Sequence, residues 1–419
     1  LPPITAAPAT LVSNLFAPCP RGLEPSLAAE LAALGAGDCR PVAGGVAFTG
    51  DRRVAYAANL RSRLASRVLV EMGRRRYRTD DDLYKLAAGI EWERHFDGRH
   101  TLRVDTSAIR SPLRSLNFAT LRVKDGIVDR LRDRTGERPS IDTREPDVRA
   151  WLFLEARDAT LYLDLSGEPL FKRGWRASRD DQGDAPLKEN LAAGLLALSG
   201  WTPARPLVDP FCGSGTIAIE AASIAWGLAP GLSRGFGFER LIDHDAALWA
   251  SLRDDAIRRA QAGSAACPAL IAASDIDATA VERGRRNLER AGLPADAVRW
   301  SVGDFARLAP PFDTPGLIVA NPPYGARIEA HGADLQGNDH EAAMRAIGDA
   351  LRSRWAGWQV WMLSADPGLP RQLGMKERRR TPLFNGAIEC RLFGFEVFAK
   401  APTQPGNPTR PETQARQPE

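Results

Sequence analysis

Two short stretches of the chain combine residue types that can hold a small molecule and act on it. Residues 207–216 read LVDPFCGSGT, and residues 318–325 read IVANPPYG. Each is an apolar run that stops at Asp or Asn and passes into Pro, Gly and small polar residues, the pattern of a strand ending in a loop. Open α/β sheets bind ligands at such strand ends, so two of them on one sheet can face each other across a pocket. In the first loop, Gly213 and Gly215 let the backbone turn sharply and approach a ligand where a Cβ would clash. The loop then opens a helix whose first amides favour an anion.

Three ligands compete for that loop. A nucleoside triphosphate needs GxxxxGK[ST], and no Lys follows Gly215. A dinucleotide would use Gly213, Gly215 and Ala218, with Glu239 close to the expected acidic position, but GLAPGLSRGFGFE before Glu239 does not read as a buried strand. S-adenosylmethionine (SAM) lays its methionine end on a Gly-rich first loop and needs a ribose acceptor at the end of the second strand. IAASDID supplies Asp275 there, and SVGDF supplies Asp304 at the end of the third strand, near the adenine. The second loop favours this reading. Two prolines after Asn321 remove two amide hydrogens and stiffen the turn. The amide oxygen of Asn321 and the carbonyl of Pro322 can then hold an exocyclic –NH2 group of a planar substrate, with Tyr324 stacked on its ring. An isolated NPP triplet is most often a plain turn, but here it follows a Gly-rich loop and an acidic pair on successive strand ends.

The elements that must position these residues fall into three blocks. Residues 12–60 read β-α-β-α: LVSNLFAP, LEPSLAAELAALG, GVAFTG and RRVAYAANL. Residues 61–165 hold two helical stretches and the strands HTLRVDTS, RAWLFLEA and ATLYLDLS, the last two alternating at period two around a hairpin turn. From 166 to 400, the strands PLVD, ALIAASD, AVRWSVGD and GLIVAN alternate with the amphipathic helices TIAIEAASIAW, DATAVERGRRNLERAG and EAAMRAIGDALRSRW. That alternation predicts a doubly wound parallel sheet, with AIECRLFGFEVF as a last strand, antiparallel at an edge. Residues 1–11 and 401–419 lack core-forming side chains and are expected to be disordered.

Composition narrows the function classes. The 44% hydrophobic and 26% charged residues are ordinary for a globular protein. No apolar run reaches the ~18 residues of a membrane span. The five cysteines are scattered without a CxxC pair, which argues against zinc or a disulfide framework and favours a reducing, cytoplasmic setting; no metal is expected. The net charge of +4 is uneven: residues 51–150 hold 23 Lys+Arg against 16 Asp+Glu. An Arg-rich region is the electrostatic footprint of a phosphate backbone. Its candidates for RNA contact are the run Arg74, Arg75 and Arg76, and Arg110, Arg114 and Lys124 around a helix-like stretch.

The order DPFCGSGT, SDID, NPPYG resembles the Rossmann-like methyltransferases that act on amino groups. RGLEPSLAAELAALG, LYLDLSGEPLFKRGWR, DAPLKENLAAGLL, LAPGLSRGFGFE with HDAALW, and NGAIECRLF resemble one family, over about residues 12–399. It is the THUMP-containing 23S ribosomal RNA guanine-N2 methyltransferases. The resemblance implies a ferredoxin-like domain (12–60), a THUMP RNA-binding domain (61–165) and a Rossmann-like, SAM-dependent methyltransferase domain (166–400). It places Asp209, Phe211, Gly213, Gly215 and Thr216 on the first SAM motif, Asp275 on the ribose and Asp304 with Phe305 beside the adenine. Pro186, Leu187 and Asn190 fall on a segment that closes over SAM, and Asn321, Pro322, Pro323 and Tyr324 on the target-base motif. Trp175 stands where the family more often has Tyr. Some relatives carry a second methyltransferase domain that makes 7-methylguanosine; this chain runs into a Pro-rich tail instead, so only the guanine-N2 activity is expected. The expected substrate is unassembled or partly assembled 23S rRNA, acted on by a monomer. Transfer RNA guanine, DNA adenine and a protein glutamine offer the same –NH2 group, and a non-catalytic RNA-binding protein is the remaining alternative.

Overall fold

The computed structural model describes residues 12–176, 187–266, 270–322 and 337–398. The amino-terminal part opens with β1 (Ser13–Pro18), α1 (Glu24–Ala33), β2 (Gly37–Val42), β3 (Gly45–Gly50), α2 (Arg52–Arg61) and β4 (Leu69–Arg76). Strand order β2-β3-β1-β4 makes this a ferredoxin-like βαββαβ unit. Leu27 and Leu31, one turn apart, bury α1, and Asp51 caps α2 by accepting from Val54 N at 2.9 Å. The strand that completes the unit, β4, lies beyond residue 60 and carries the arginine run.

β4 does not end the sheet. α3 (Asp80–Ala88), β5 (Thr101–Ala108), α4 (Leu116–Thr135), β6 (Ser140–Ile141), β7 (Val148–Leu154) and β8 (Asp158–Asp164) follow. β8 pairs antiparallel with β4 from Leu69↔Asp164 to Arg76↔Asp158. One eight-stranded sheet, β2-β3-β1-β4-β8-β7-β5-β6, therefore runs through both amino-terminal blocks. β7 alternates buried and half-buried residues, as its period-two pattern predicts.

The second sheet is the expected doubly wound one. Its elements are α5 (Glu189–Ser199), β9 (Leu207–Asp209), α6 (Thr216–Ala225), α7 (Ala246–Ala266), β10 (Ile271–Asp275), α8 (Ala278–Arg290), β11 (Arg299–Val302), β12 (Leu317–Ala320), α9 (Gly337–Arg354), β13 (Gln359–Ser364), α10 (Leu369–Leu373), β14 (Arg379–Asn385) and β15 (Ile388–Glu396). The order is β11-β10-β9-β12-β13-β15-β14. The central strands β9 and β12 are buried throughout, as strands covered by helices on both faces must be. β15 is antiparallel, as expected, but it is not the edge. β14 takes that place, and Pro382 within it, which cannot donate to a ladder, suits an outer strand.

The two parts meet in a buried ionic junction. Arg63 donates to Ser223 Oγ at 3.0 Å, Ser223 O at 3.1 Å and Leu228 O at 2.5 Å, and lies 3.4 Å from Glu220. Arg173 donates to Glu220 Oε1 at 3.0 Å and to Arg63 O at 2.7 Å. Glu220 sits on α6, so the helix that follows the Gly-rich loop is gripped from the amino-terminal side.

Candidate active site

β9 ends at Asp209 and α6 begins at Thr216; the loop between them is tied to the neighbouring strand end. Gly213 N donates to Asp275 Oδ2 at 2.8 Å, and Cys212 N to Ser274 O at 2.9 Å. Asp277 N donates to the other oxygen of Asp275 at 3.1 Å. Asp275 therefore anchors the loop, a role its position at a strand end does not reveal; each carboxylate oxygen keeps a further lone pair for a hydroxyl donor.

The two glycines serve different ends. Gly213 and Gly215 have φ of 52° and 84°, the left-handed region that L side chains resist. A Cβ on Gly213 would meet nothing within 4 Å, so that position opens onto free space, whereas one on Gly215 would lie 2.7 Å from the Trp300 ring. Close approach to a ligand belongs to Gly213; Gly215 is held by packing.

Asp209 is 1% exposed. Its Oδ1 accepts from Phe211 N at 3.4 Å, and its Oδ2 has no partner in the described structure. Burial, with the Asp275 charge adding to it, pushes its carboxyl up to about 8. Phe305 is buried between Phe211 and Trp355, at ring distances of 5.7 and 5.4 Å, so it shapes the wall through Phe211. Asp304 is exposed and accepts from Ala306 N at 2.9 Å at the turn after β11. β12 is paired parallel to β9 with Ile318 opposite Val208. Asn321 thus emerges about 7 Å beyond the level of Asp209 on the adjacent strand. Its Oδ1 is buried without a partner among the described residues, and Pro322 beside it is buried.

Comparison with known proteins bears on this geometry. Residues 176–393 match the RMKL-like methyltransferase domain family, residues 14–69 the RlmL ferredoxin-like domain and residues 77–164 the THUMP domain. The chain belongs to this methyltransferase family. Ribosomal RNA large subunit methyltransferase K/L of Aeromonas hydrophila is 39% identical over 402 residues, covering 92% of this chain and 54% of that one. Its counterpart in Syntrophotalea carbinolica is 40% identical over 391 residues, covering 92% and 53%. The chain thus spans about half the length of these relatives. Among solved structures, the methyltransferase SMU.472, crystallised with SAH, aligns at TM-score 0.80 and 28% identity over 93% of this chain and 99% of its own. A protein from Listeria monocytogenes named as an N6-adenine-specific DNA methylase aligns at 0.80 and 29%, covering 92% and 97%.

One residue that sequence reading does not single out also touches the Gly-rich loop. Arg176 donates to Thr216 Oγ1, to Ser214 Oγ at 3.3 Å and to Leu187 O at 3.3 Å, and pairs with Glu189 at 3.1 Å. Its guanidinium lies 4.6 Å over the Trp175 ring. The aromatic at 175 was the one local signal; the partners of Arg176 lie too far along the chain to read. Leu187 is buried and reaches the loop only through that carbonyl. Asn190 Nδ2 donates to Leu64 O at 3.3 Å and Ser66 Oγ at 3.1 Å. Its amide nitrogen is thus held on the segment after α2, while its Oδ1 has no partner among the described residues. Pro186, Pro323 and Tyr324, with both ends of the chain, lie outside the described residues.

The arrangement fits SAM. An acidic strand end without a full set of partners, an open face at Gly213 and a carboxylate at the next strand end are the acceptors and the space that a cationic, ribose-bearing cofactor requires. The basic candidates are spread over the other sheet. Arg74, Arg75 and Arg76 are exposed at the end of β4; Arg74 lies 3.5 Å from Glu155 and 3.4 Å from Asp158. Arg110 is exposed with φ of 58°, Arg114 is exposed, and Lys124 pairs with Asp125 at 2.7 Å. Among the described residues, no helix is long and apolar enough to cross a membrane.

Proposed function

We propose that this protein transfers a methyl group from SAM to the exocyclic N2 of a guanine in large-subunit ribosomal RNA. The observation that carries the reading is Asn321 Oδ1, a buried acceptor without a donor among the described residues, at the strand end beside the Gly-rich loop. Leaving such a group unpaired costs about 1–3 kcal/mol, which a bound amine would recover. The relatives named as ribosomal RNA large subunit methyltransferases and the THUMP match support the RNA substrate.

Bound at the Gly213 face, SAM supplies a methyl group carried on a sulfonium. The chain's own residues do the rest. Asp275 accepts from the ribose hydroxyls while it holds the loop, and Asp304 lies on the adenine side. Asn321 Oδ1 and the Pro322 carbonyl accept the two N2 hydrogens, orient the amine in near-attack geometry and add electron density to a lone pair otherwise delocalised into the ring. Tyr324 is assigned to stacking on the base. N2 becomes acidic only as the bond to methyl forms, so its proton can leave to solvent and no strong base is required. A paired guanine hides this edge, so the base is taken from unfolded RNA or extruded.

An adenine N6 amine would offer Asn321 the same hydrogens, and one structural relative is named for that reaction. Mass spectrometry of ribosomal RNA, transfer RNA and DNA from cells with and without the protein separates these. Loss of one N2-methylguanosine from the large-subunit RNA is expected; its retention alongside loss of a methylated adenine, or of a transfer RNA guanosine, would overturn the assignment.

A further inference from the structure

A cavity of about 210 Å³ lies between the ferredoxin-like unit and the catalytic sheet. Its wall is drawn from the turn between β1 and α1 (Arg21), the segment after α2 (Ser66), the start of α5 (Lys188, Asn190) and the β14–β15 hairpin (Phe384, Asn385). The position matters. β14 runs parallel to β12 and β13, so its hairpin tip overhangs the sheet edge from which Asn321 emerges. Three inter-strand spacings across the sheet and four residues along the strand, since Asn321 is level with Thr381, separate it from Asn385 by about 20 Å.

The lining has cations and no carboxylate. Arg21 lies 4.5 Å over the Phe384 ring and Lys188 Nζ 4.9 Å from the Phe171 ring, and neither forms an ion pair with a described residue. Most arginines of this chain are spent on neighbouring acids or carbonyls; these two groups are held in place by aromatic rings with their charge left over. Lys188 also starts α5, whose amino-terminal amides add to the attraction for an anion. A second, independent feature is Asn190, 1% exposed, whose Nδ2 is fixed on the Leu64 carbonyl while Oδ1 has no partner among the described residues.

We propose that this cleft holds a backbone phosphate of the RNA strand flanking the methylated base, on Arg21 and Lys188. A ribose hydroxyl carried beside the phosphate is a donor of the kind that Asn190 Oδ1 lacks. The proposal rests on RNA being the substrate. A phosphate held about 20 Å from the target-base loop fixes the path of the strand on one side of the extruded base, and contributes position rather than sequence.

Both basic residues are exposed, so Arg21→Ala with Lys188→Ala leaves the fold intact. The test is steady-state methyl transfer to a large-subunit rRNA fragment across a range of salt. The double variant should raise KM for RNA roughly tenfold and flatten its salt dependence by about 1.4, or ~0.7 for each single-strand phosphate contact. kcat at saturating RNA and the Kd for SAM should stay within about twofold, and Arg21→Lys with Lys188→Arg should behave as wild type. A double variant with the KM and salt slope of an active wild type overturns the cleft and leaves the RNA reading standing. A wild type that transfers nothing to rRNA overturns both.

Discussion

Asn321 and Asp209 each carry, at a strand end, a buried oxygen without a partner among the described residues, and each makes a separate test of the site. For Asn321, replacement by Ala removes one of two amine acceptors and leaves the Gly-rich loop alone. Methyl transfer should fall by about two orders of magnitude, as when a preorganised polar group is lost elsewhere, with SAM affinity within a few-fold of wild type. Near-full turnover of Asn321→Ala would end the amine-acceptor role. For Asp209, the carboxyl at about 8 lies far above the ordinary 3.8. Between those values the folded protein holds a proton that the unfolded chain has released. Its contribution to stability is whole below pH ~4 and lost as pH rises through 8. Asp209→Asn should therefore flatten the decline in Tm between pH 5 and pH 9, and an unchanged pH profile would rule this out. SAM brings a net positive charge to the same place, which favours the carboxylate. At pH 7 its binding should release a proton, seen by calorimetry in buffers of different ionisation enthalpy, and the Asn variant should release none. These residues were legible because a strand end, a turn and an acid are local features. Arg176 was not, since its partners Ser214 and Thr216 come from another element.

Elements follow the same division between local and distant information. The parallel strands of the catalytic sheet were readable because each is a short apolar run closed by turn residues. β4 was not, because its sequence LVEMGRRR ends in three arginines and its alternation is interrupted by a bulge between Glu71 and Gly73. A run that reads as solvated surface is instead the end of the strand joining the two amino-terminal units. β14 was hidden in the same way by the arginines before it and by Pro382. The structure also sharpens what the arginine run can do. Arg74 is already beside Glu155 and Asp158, so the charge available to a phosphate comes chiefly from Arg75 and Arg76. Changing Arg74, Arg75 and Arg76 together to Ala should weaken RNA binding for all sequences alike, with the salt slope falling by about 1.4 rather than about 2.1 at ~0.7 per single-strand contact. Transfer to a short RNA that needs only the pocket should change little. A slope equal to wild type would show that this run faces solvent and that RNA enters over another surface.

At the scale of the whole molecule, the question is how a THUMP-bearing half and a methyltransferase half act as one body. The family resemblance orders the domains but says nothing of how they are joined, because the joint is made by residues far apart in sequence. Glu220 on α6 receives Arg173 and lies beside Arg63, and both arginines are buried or nearly so. Burying charges costs several kcal/mol per ion unless they are paired and hydrogen-bonded. Here the remaining donors reach Ser223, Leu228, Leu170 and the Arg63 carbonyl, so the network closes around Glu220, with Glu30, which accepts from Arg63 N at 2.7 Å, as a second carboxylate beside it. Burial lowers the Arg63 guanidinium from its usual range, with Glu220 opposing the shift. Removing the Glu220 carboxylate leaves the two cations of a buried junction with Glu30 as the carboxylate beside them, against the helix that follows the Gly-rich loop. Glu220→Gln should therefore destabilise the protein by about 3–5 kcal/mol, the cost of breaking a buried pair from one side. The loss should fall on the junction first. In scanning calorimetry the variant is expected to unfold in two separated transitions where the wild type shows one, and SAM should raise only the transition of the catalytic part. A variant that unfolds in a single step within 1 kcal/mol of wild type would mean that the apolar contacts across the joint suffice, and that the ionic cluster does not couple the two halves.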